Sequence, residues 1–152
     1  MVPDLSNLET AGHAMRRPAQ TDPDQERGFA STNISALLNP RSIAIVGISG
    51  QKVTTFRPGA RAVLEHLRKF NYQGKIYPVN PKYQEIDGLP TYPDLAALPE
   101  TPDCVVIGLP AKAVPEAVRQ CGEFHIRSAL LLSSGFGELG PDGLRLERET
   151  RE

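Results

Sequence analysis

No apolar run in this chain approaches the roughly 18 residues that a membrane-spanning helix needs. The first 33 residues also lack the apolar segment of a signal peptide. Arg16-Arg17 is followed by Pro18-Ala19-Gln20-Thr21-Asp22, which excludes a twin-arginine signal. A basic surplus is missing too. Lys and Arg number 17 against 18 Asp and Glu, for a formal net charge of −1. With no Lys/Arg cluster and no aromatic stacking platform, a nucleic-acid surface is excluded. Cysteine is scarce: Cys104 and Cys121 lie far apart in apolar patterns. They read as buried free thiols in a reducing cytosol, not as a disulfide or a metal site. A cytoplasmic location is expected.

Histidine offers little chemistry. His13 lies in the N-terminal stretch, His66 beside Glu65 on a polar helix face, and His125 in a connecting loop. None has a Cys, Asp or Glu at ligand spacing, so no metal and no catalytic histidine is assigned. Ser133 and Ser134 sit in no GxSxG elbow, which argues against a hydrolase nucleophile.

What the chain does have is organised around Arg41-Ser42-Ile43-Ala44-Ile45-Val46-Gly47-Ile48-Ser49-Gly50. The β-branched run before Gly47 reads as a strand buried on both faces, as in a parallel sheet. Glycines follow, and a helical pattern resumes about a dozen residues later. Strand, glycine loop and helix make an anion site, because backbone N–H groups there approach a phosphate closely.

The 152 residues suffice for one core and are too few for two ordinary domains. Residues 1–30 are rich in Pro, Asp, Gln, Arg and Thr without apolar periodicity and read as a flexible tail. The domain is expected over 31–152. Ser31, Thr32 or Asn33 caps a short helix carrying Ile34, Leu37 and Leu38, which Pro40 ends. A helix over 60–70 puts Ala60, Val63, Leu64 and Leu67 on the sheet. Asn71 to Gly74 closes it, and Lys75 to Val79 is the second strand, an edge or irregular one because of Pro78.

A turn-rich segment runs to Tyr92, and a short helix is expected from Pro93-Asp94 through Leu98. The third strand is Asp103 to Ile107. The next helix carries Val114, Ala117, Val118 and Cys121, with Pro115 in its first turn. A fourth strand spans Ala129 to Leu132, and a last helical pattern begins near Leu144. The expected fold is α/β: a Rossmann-like open parallel sheet with helices on both faces and right-handed crossovers. The strand expected after the Leu144 helix is missing at the C-terminus.

Ligands in such sheets bind beyond the carboxyl ends of the strands. The loops in question are Gly47–Gln51, Asn80–Lys82, Gly108–Ala111 and Ser133–Gly137. A dinucleotide fingerprint needs GxGxxG and an acidic residue at the end of the second strand. This loop has Gly47 and Gly50 without the third glycine, and the second strand ends in Asn80-Pro81-Lys82. A lysine there attracts a phosphorylated ribose. NAD is disfavoured, which leaves NADP and coenzyme A. Residue by residue, alternatives stay open. Gly47 is a phosphate contact or a tight turn, Ser49 a phosphate contact or a cap. Lys82 is a ligand contact or a solvated lysine, and Ser133 and Ser134 are ligand contacts or a polar strand exit.

The motifs Ile45-Val46-Gly47-Ile48-Ser49, Ile76-Tyr77-Pro78-Val79-Asn80-Pro81-Lys82, Gly88-Leu89-Pro90-Thr91-Tyr92, Val106-Ile107-Gly108-Leu109-Pro110-Ala111 and Ser133-Ser134-Gly135-Phe136-Gly137-Glu138 follow one another. In this order the run resembles the CoA-binding domain that opens NDP-forming acyl-CoA synthetases, relatives of the succinyl-CoA synthetase α subunit. The resemblance covers about two-thirds of the chain. It implies that Gly47, Ile48, Ser49 and Gly50 hold the CoA pyrophosphate, and that Asn80, Pro81 and Lys82 meet the adenosine end. Gly108, Leu109 and Pro110 with Ser133, Ser134 and Gly135 would flank the pantetheine arm. Glu138 either reaches toward the thiol or belongs to a surface loop.

The chain departs from the family in having Ile48 where Ala is usual and a longer loop between Gly50 and Gly59. It also lacks the phosphohistidine and nucleotide-grasping modules of those synthetases. The expectation is one domain of a larger ligase, or an excised fragment, inactive alone. Its partners would be CoA or acyl-CoA and the remaining ligase domains or subunit. A parent acetyltransferase with a ligase-like front end is an open variant. Two rivals are a free-standing CoA-binding regulatory module and an NADP-binding oxidoreductase fragment. Against the latter, no Tyr-x-x-x-Lys and no poised His supplies a proton donor.

Overall fold

The computed structural model describes residues 34–50 and 59–151. The expected tail, the 31–33 cap and most of the loop between Gly50 and Gly59 lie outside the described residues. The chain runs through a helical turn α1 (34–38), β1 (Ser42–Val46), α2 (Ala60–Lys69), β2 (Lys75–Val79), β3 (Glu85–Ile86) and β4 (Leu89–Pro90). It continues through β5 (Cys104–Ile107), α3 (Val114–Glu123), β6 (Ser128–Leu131) and α4 (Pro141–Arg151).

The main sheet has four parallel strands in the order β2-β1-β5-β6. Alternation along its strands divides the core in two. Ala44, Val105 and Ile107 face α3, packing with Val114, Ala117 and Cys121. Ile43, Ile45, Cys104 and Val106 face α2, packing with Ala60 and Leu64. Each strand has apolar residues on both faces because each face is covered by a helix, as parallel sheets require. This is the expected Rossmann-like architecture.

Pro78 sits in β2, an outer strand of the sheet, where a missing N–H costs no ladder bond to a second neighbour. Tyr92 runs beside that edge, its N–H donating to the Pro78 carbonyl (2.9 Å). The opposite edge, β6, is paired only with β5 among the described residues, and Leu130 and Leu131 are exposed there.

Helix ends follow one rule twice. Asn71 and His125 adopt φ of 53° and 54° just after α2 and α3. There the N–H groups of Tyr72 and Ile126 donate back to Leu67 and Cys121 carbonyls. Such left-handed closures satisfy otherwise orphaned carbonyls. Pro115 lies in the first turn of α3, where its missing N–H is harmless.

Two expectations need correction. Residues Pro93 to Leu98 form turns, not a helix: the Asp94 carboxylate accepts the Ala97 N–H (2.9 Å), and no regular ladder follows. The expected short helix carrying Ile34, Leu37 and Leu38 is present as α1, and Ala36 is its buried residue. The fourth strand spans Ser128–Leu131, one residue earlier than the apolar run suggests, because Ser128 pairs with Cys104 at its start.

At the end of the sheet away from the glycine loop, Asp103 ties three strand starts together. Its carboxylate accepts the Arg41 N–H (2.8 Å) and pairs with the guanidinium groups of Arg41 and Arg127. Its own N–H donates to the Ser42 hydroxyl (3.1 Å), and its carbonyl accepts the Ser128 hydroxyl (3.0 Å).

Candidate functional site

The chain passes from β1 outward to β2, then returns to the other side of β1 to form β5. A crevice opens where strand order reverses this way, at the carboxyl ends of β1 and β5. Here it is a cleft of about 460 Å³. Gly47 follows β1 into it, Asn80, Pro81 and Lys82 follow β2, and Gly108, Leu109 and Pro110 follow β5. Ala113 just before α3, Ala117 within it and Leu95 of the turn segment form its apolar walls. Such a mix of apolar wall and a few polar groups is typical of cofactor clefts.

The loops are tied to one another by backbone bonds. The Gly47 N–H donates to the Val79 carbonyl (3.0 Å), and the Gly108 N–H to the Val46 carbonyl (2.9 Å). Gly47 has φ of +83°, a conformation glycine adopts without strain. Gly50 has no room for a side chain either, because a Cβ would lie 2.8 Å from the Tyr83 ring. A loop this closely packed leaves backbone, not side chains, to face an anion.

The remaining candidates separate by position. Ile48 is wholly buried in the cluster against α2, so any contact it makes with a ligand is through its backbone. That burial accounts for an isoleucine at this place. Ser49 and Gly50 continue the loop beyond the cleft lining. Ser133 donates its hydroxyl to the Leu109 carbonyl (2.6 Å), so it braces the β5 loop. Gly135 sits against Ala111, and Ser133, Ser134 and Gly135 are not among the residues that line the cleft. Glu138 turns back on its own loop, accepting N–H groups from Gly135 (2.5 Å) and Phe136 (3.1 Å). Those backbone donors, Gly135 first, hold its carboxyl below the usual range.

Asn80 occupies the place where dinucleotide folds carry a carboxylate. Its side-chain amide donates to the Ile48 carbonyl (2.8 Å) and accepts the Lys82 N–H (2.9 Å). The Lys82 ammonium is exposed at the cleft and makes no ion pair among the described residues. Glu116, across the cleft, is already engaged by Arg119 and Gln120, with Arg119 lowering its pKa most. The arrangement suits an anionic ligand whose charge meets Lys82 and whose phosphates meet the glycine loop.

Burial pushes the Cys121 thiol up to about 11 and raises Cys104 as well, so both stay protonated and inert. Among the described residues no group of His, Cys, Asp and Glu is placed to hold a metal ion. No helix among them is long and apolar enough to cross a membrane. His66 is exposed on α2 and close to the Ala62 carbonyl (2.7 Å), away from the cleft.

One residue escaped the sequence reading. Arg61 faces the core rather than solvent, with only 5% of its surface exposed. Its guanidinium meets the Asp87 carboxylate (2.5 Å), the Ser49 carbonyl (3.2 Å) and the Glu65 carboxylate (3.4 Å). Asp87 sits in the β3–β4 hairpin, where Asp87 and Gly88 have φ of 53° and 80°. Asp-Gly between short apolar pairs is a hairpin signal, so this partner was legible. The burial of Arg61 was not.

Known proteins resemble this chain in sequence and in fold. An ADP-forming acetate–CoA ligase I of Archaeoglobus fulgidus is 40% identical over 116 residues, which cover 76% of this chain and 16% of that protein. The α subunit of an ADP-forming acetate–CoA ligase I of Pyrococcus furiosus is 36% identical, covering 79% of this chain and 26% of the subunit. A solved dinucleotide-forming acetyl-coenzyme A synthetase 1 of Ca. Korarchaeum cryptofilum, in complex with phosphate and ADP, superposes with a TM-score of 0.69. Its sequence identity is 32%, covering 78% of this chain and 24% of that one. The chain thus spans about a quarter or less of the length of these relatives. It matches the family described as CoA binding domain over residues 41–149, and it belongs to that family.

Proposed function

We propose that this chain binds coenzyme A in the cleft at the carboxyl ends of β1, β2 and β5. There it presents the thiol for an NDP-forming acyl-CoA synthetase whose chemistry lies in other domains or in a partner subunit. The observation that carries the reading is the end of β2. Asn80 stands where an NAD site needs an acid, and Lys82, unpaired by any described carboxylate, follows it at the cleft of a CoA-binding-family fold. The pyrophosphate lies on the backbone of Gly47, Ile48, Ser49 and Gly50. Asn80, Pro81 and Lys82 meet the phosphorylated ribose. Gly108, Leu109, Pro110, Ser133, Ser134 and Gly135 line the path of the pantetheine arm.

The protein's part is binding and orientation, while the reactive thiol belongs to the cofactor. The other ligase domains or subunit are the partners, and the cytoplasm is the compartment. Thermal unfolding tests the ligand. CoA at one hundred times Kd stabilises the native state by about 2.7 kcal/mol and raises Tm, whereas NAD at the same concentration leaves it unchanged. Equal shifts with NAD and CoA would sink the reading.

A further inference from the structure

Arg61 stands at the second position of α2, where a helix's positive end disfavours a cation, and its side chain is 6% exposed. Burying a guanidinium is costly unless it is paired and fully hydrogen-bonded. Two unfavourable placements at one residue call for compensation, and the compensation joins three segments. Asp87 arrives from the β3–β4 hairpin, Glu65 from the next turn of α2, and the Ser49 carbonyl from the glycine loop. Arg68 fastens Asp87 from the other side, donating to its carbonyl (2.6 Å) and its carboxylate (3.4 Å).

The loop is held at a second point as well. The Ile48 carbonyl accepts the Asn80 amide, so two successive carbonyls of the glycine loop are bonded to side-chain donors from different elements. In a planar trans peptide the carbonyl and the following N–H point to opposite sides. Fixing the carbonyls of Ile48 and Ser49 therefore fixes the direction of the Ser49 and Gly50 N–H groups. With Asp87 and Glu65 beside it, the Arg61 charge is neutralised locally, so its effect is geometric.

We propose that Arg61 is a positioning residue for the pyrophosphate loop: it holds the Ser49 carbonyl so that loop N–H groups face the ligand's phosphates, without itself touching the ligand. This rests on the reading that CoA is the ligand. It makes Arg61 specific for one part of that ligand, the pyrophosphate, and indifferent to the ribose phosphate at Lys82.

The experiment titrates CoA and 3′-AMP into wild type, Arg61→Lys and Arg61→Met, with Tm of each variant recorded. 3′-AMP carries the ribose phosphate and lacks the pyrophosphate. Arg61→Met should lose at least about tenfold in CoA affinity while its 3′-AMP affinity stays within about twofold. Arg61→Lys keeps the charge but not the planar fork that spans Asp87 and Ser49, and should lose about threefold or more for CoA alone. Should Arg61→Met fail to fold, Arg61→Lys decides. Unchanged CoA affinity in the folded variants overturns the proposal, and so does a parallel loss of both ligands, the mark of a general structural role. A wild type that binds no CoA overturns the ligand reading and takes this inference with it; binding by wild type with indifferent variants overturns this inference alone.

Discussion

A Cβ on Gly47 would lie 2.7 Å from the carbonyl oxygen of Gly108, closer than side-chain carbons come to backbone. Gly47 also has φ of +83°, so any other residue there meets strain and collision together. The two glycines let the ends of β1 and β5 meet at the crevice floor. Gly47→Ala should therefore cost about 1–3 kcal/mol from the backbone conformation, and more from the clash with a neighbouring main chain that cannot move aside. Gly122→Ala is the control. Gly122 lies inside α3 with open space at its Cβ position, and substitution there should stabilise by about 0.5–1 kcal/mol. Urea unfolding of both variants checks the pair, and a neutral Gly47→Ala would refute the argument.

The opposite end of the sheet gives a pH prediction. Burial raises the pKa of Asp103, but the Arg41 N–H and the Arg127 and Arg41 guanidinium groups outweigh it, leaving the carboxyl below its ordinary 3.8. A depressed folded pKa means the folded state holds its proton less tightly than the unfolded one. The stabilisation is complete above the ordinary value and is lost as pH falls below 3.8 through the folded value. Asp103→Asn should cost about 1–3 kcal/mol at neutral pH. Its stability should also fall less steeply than wild type as pH drops below about 4. Parallel pH profiles for the two proteins would show that Asp103 contributes no such linkage.

Parts of this molecule are readable without coordinates because local chemistry alone decides them. Ile43 to Val46 and Val105 to Ile107 are strands because β-branched runs bounded by glycine suit a sheet covered on both faces. Pro78 puts β2 at an edge, since it cannot donate to two neighbours. The order of the strands is seen only in the structure, whereas their alternation with helices makes the sheet parallel. The loops bearing Gly47, Lys82 and Gly108 converge for the same reason.

What escapes is set by distant partners. Arg61 has the sequence context of a solvated helix residue, and its burial is made tolerable by partners that include Asp87, 26 residues away, and the Ser49 carbonyl. Pro93 to Leu98 has a capping aspartate and apolar residues in plenty, yet Asp94 closes a single turn and the chain then runs along the β2 edge. Leu37 and Leu38 carry a helical stripe with no core to receive it. Periodicity reports the face a helix has; it does not report what lies opposite.

Catalysis gives the third prediction. With both thiols buried and protonated and no metal cluster among the described residues, the purified chain should make no acyl-CoA from ATP, CoA and acetate. If the proposed function holds, product should require addition of the catalytic domains or subunit of such a ligase. Turnover by the chain alone, above a protein-free control and proportional to its concentration, would show that chemistry resides here.

The last prediction isolates Lys82. Its ammonium lies exposed at the cleft, while the Lys82 N–H is fixed by the Asn80 side chain, so the residue's position is set even though its charge is open. If that charge meets the ribose phosphate of CoA, Lys82→Ala should weaken CoA far more than dephospho-CoA, which lacks the group. A charge-assisted contact of this kind is worth about 1.5–3 kcal/mol, so the loss for CoA should be roughly tenfold to hundredfold. Added salt should shrink the wild-type preference for CoA, because screening acts on an exposed pair within about a Debye length. A solvated lysine unconnected with the ligand gives a different pattern, with both ligands affected equally or not at all. Titrating both ligands into both proteins at low and moderate salt yields the coupling between residue and phosphate. A coupling of zero would remove Lys82 from the site, and with it the strongest residue-level reason for preferring CoA to NAD.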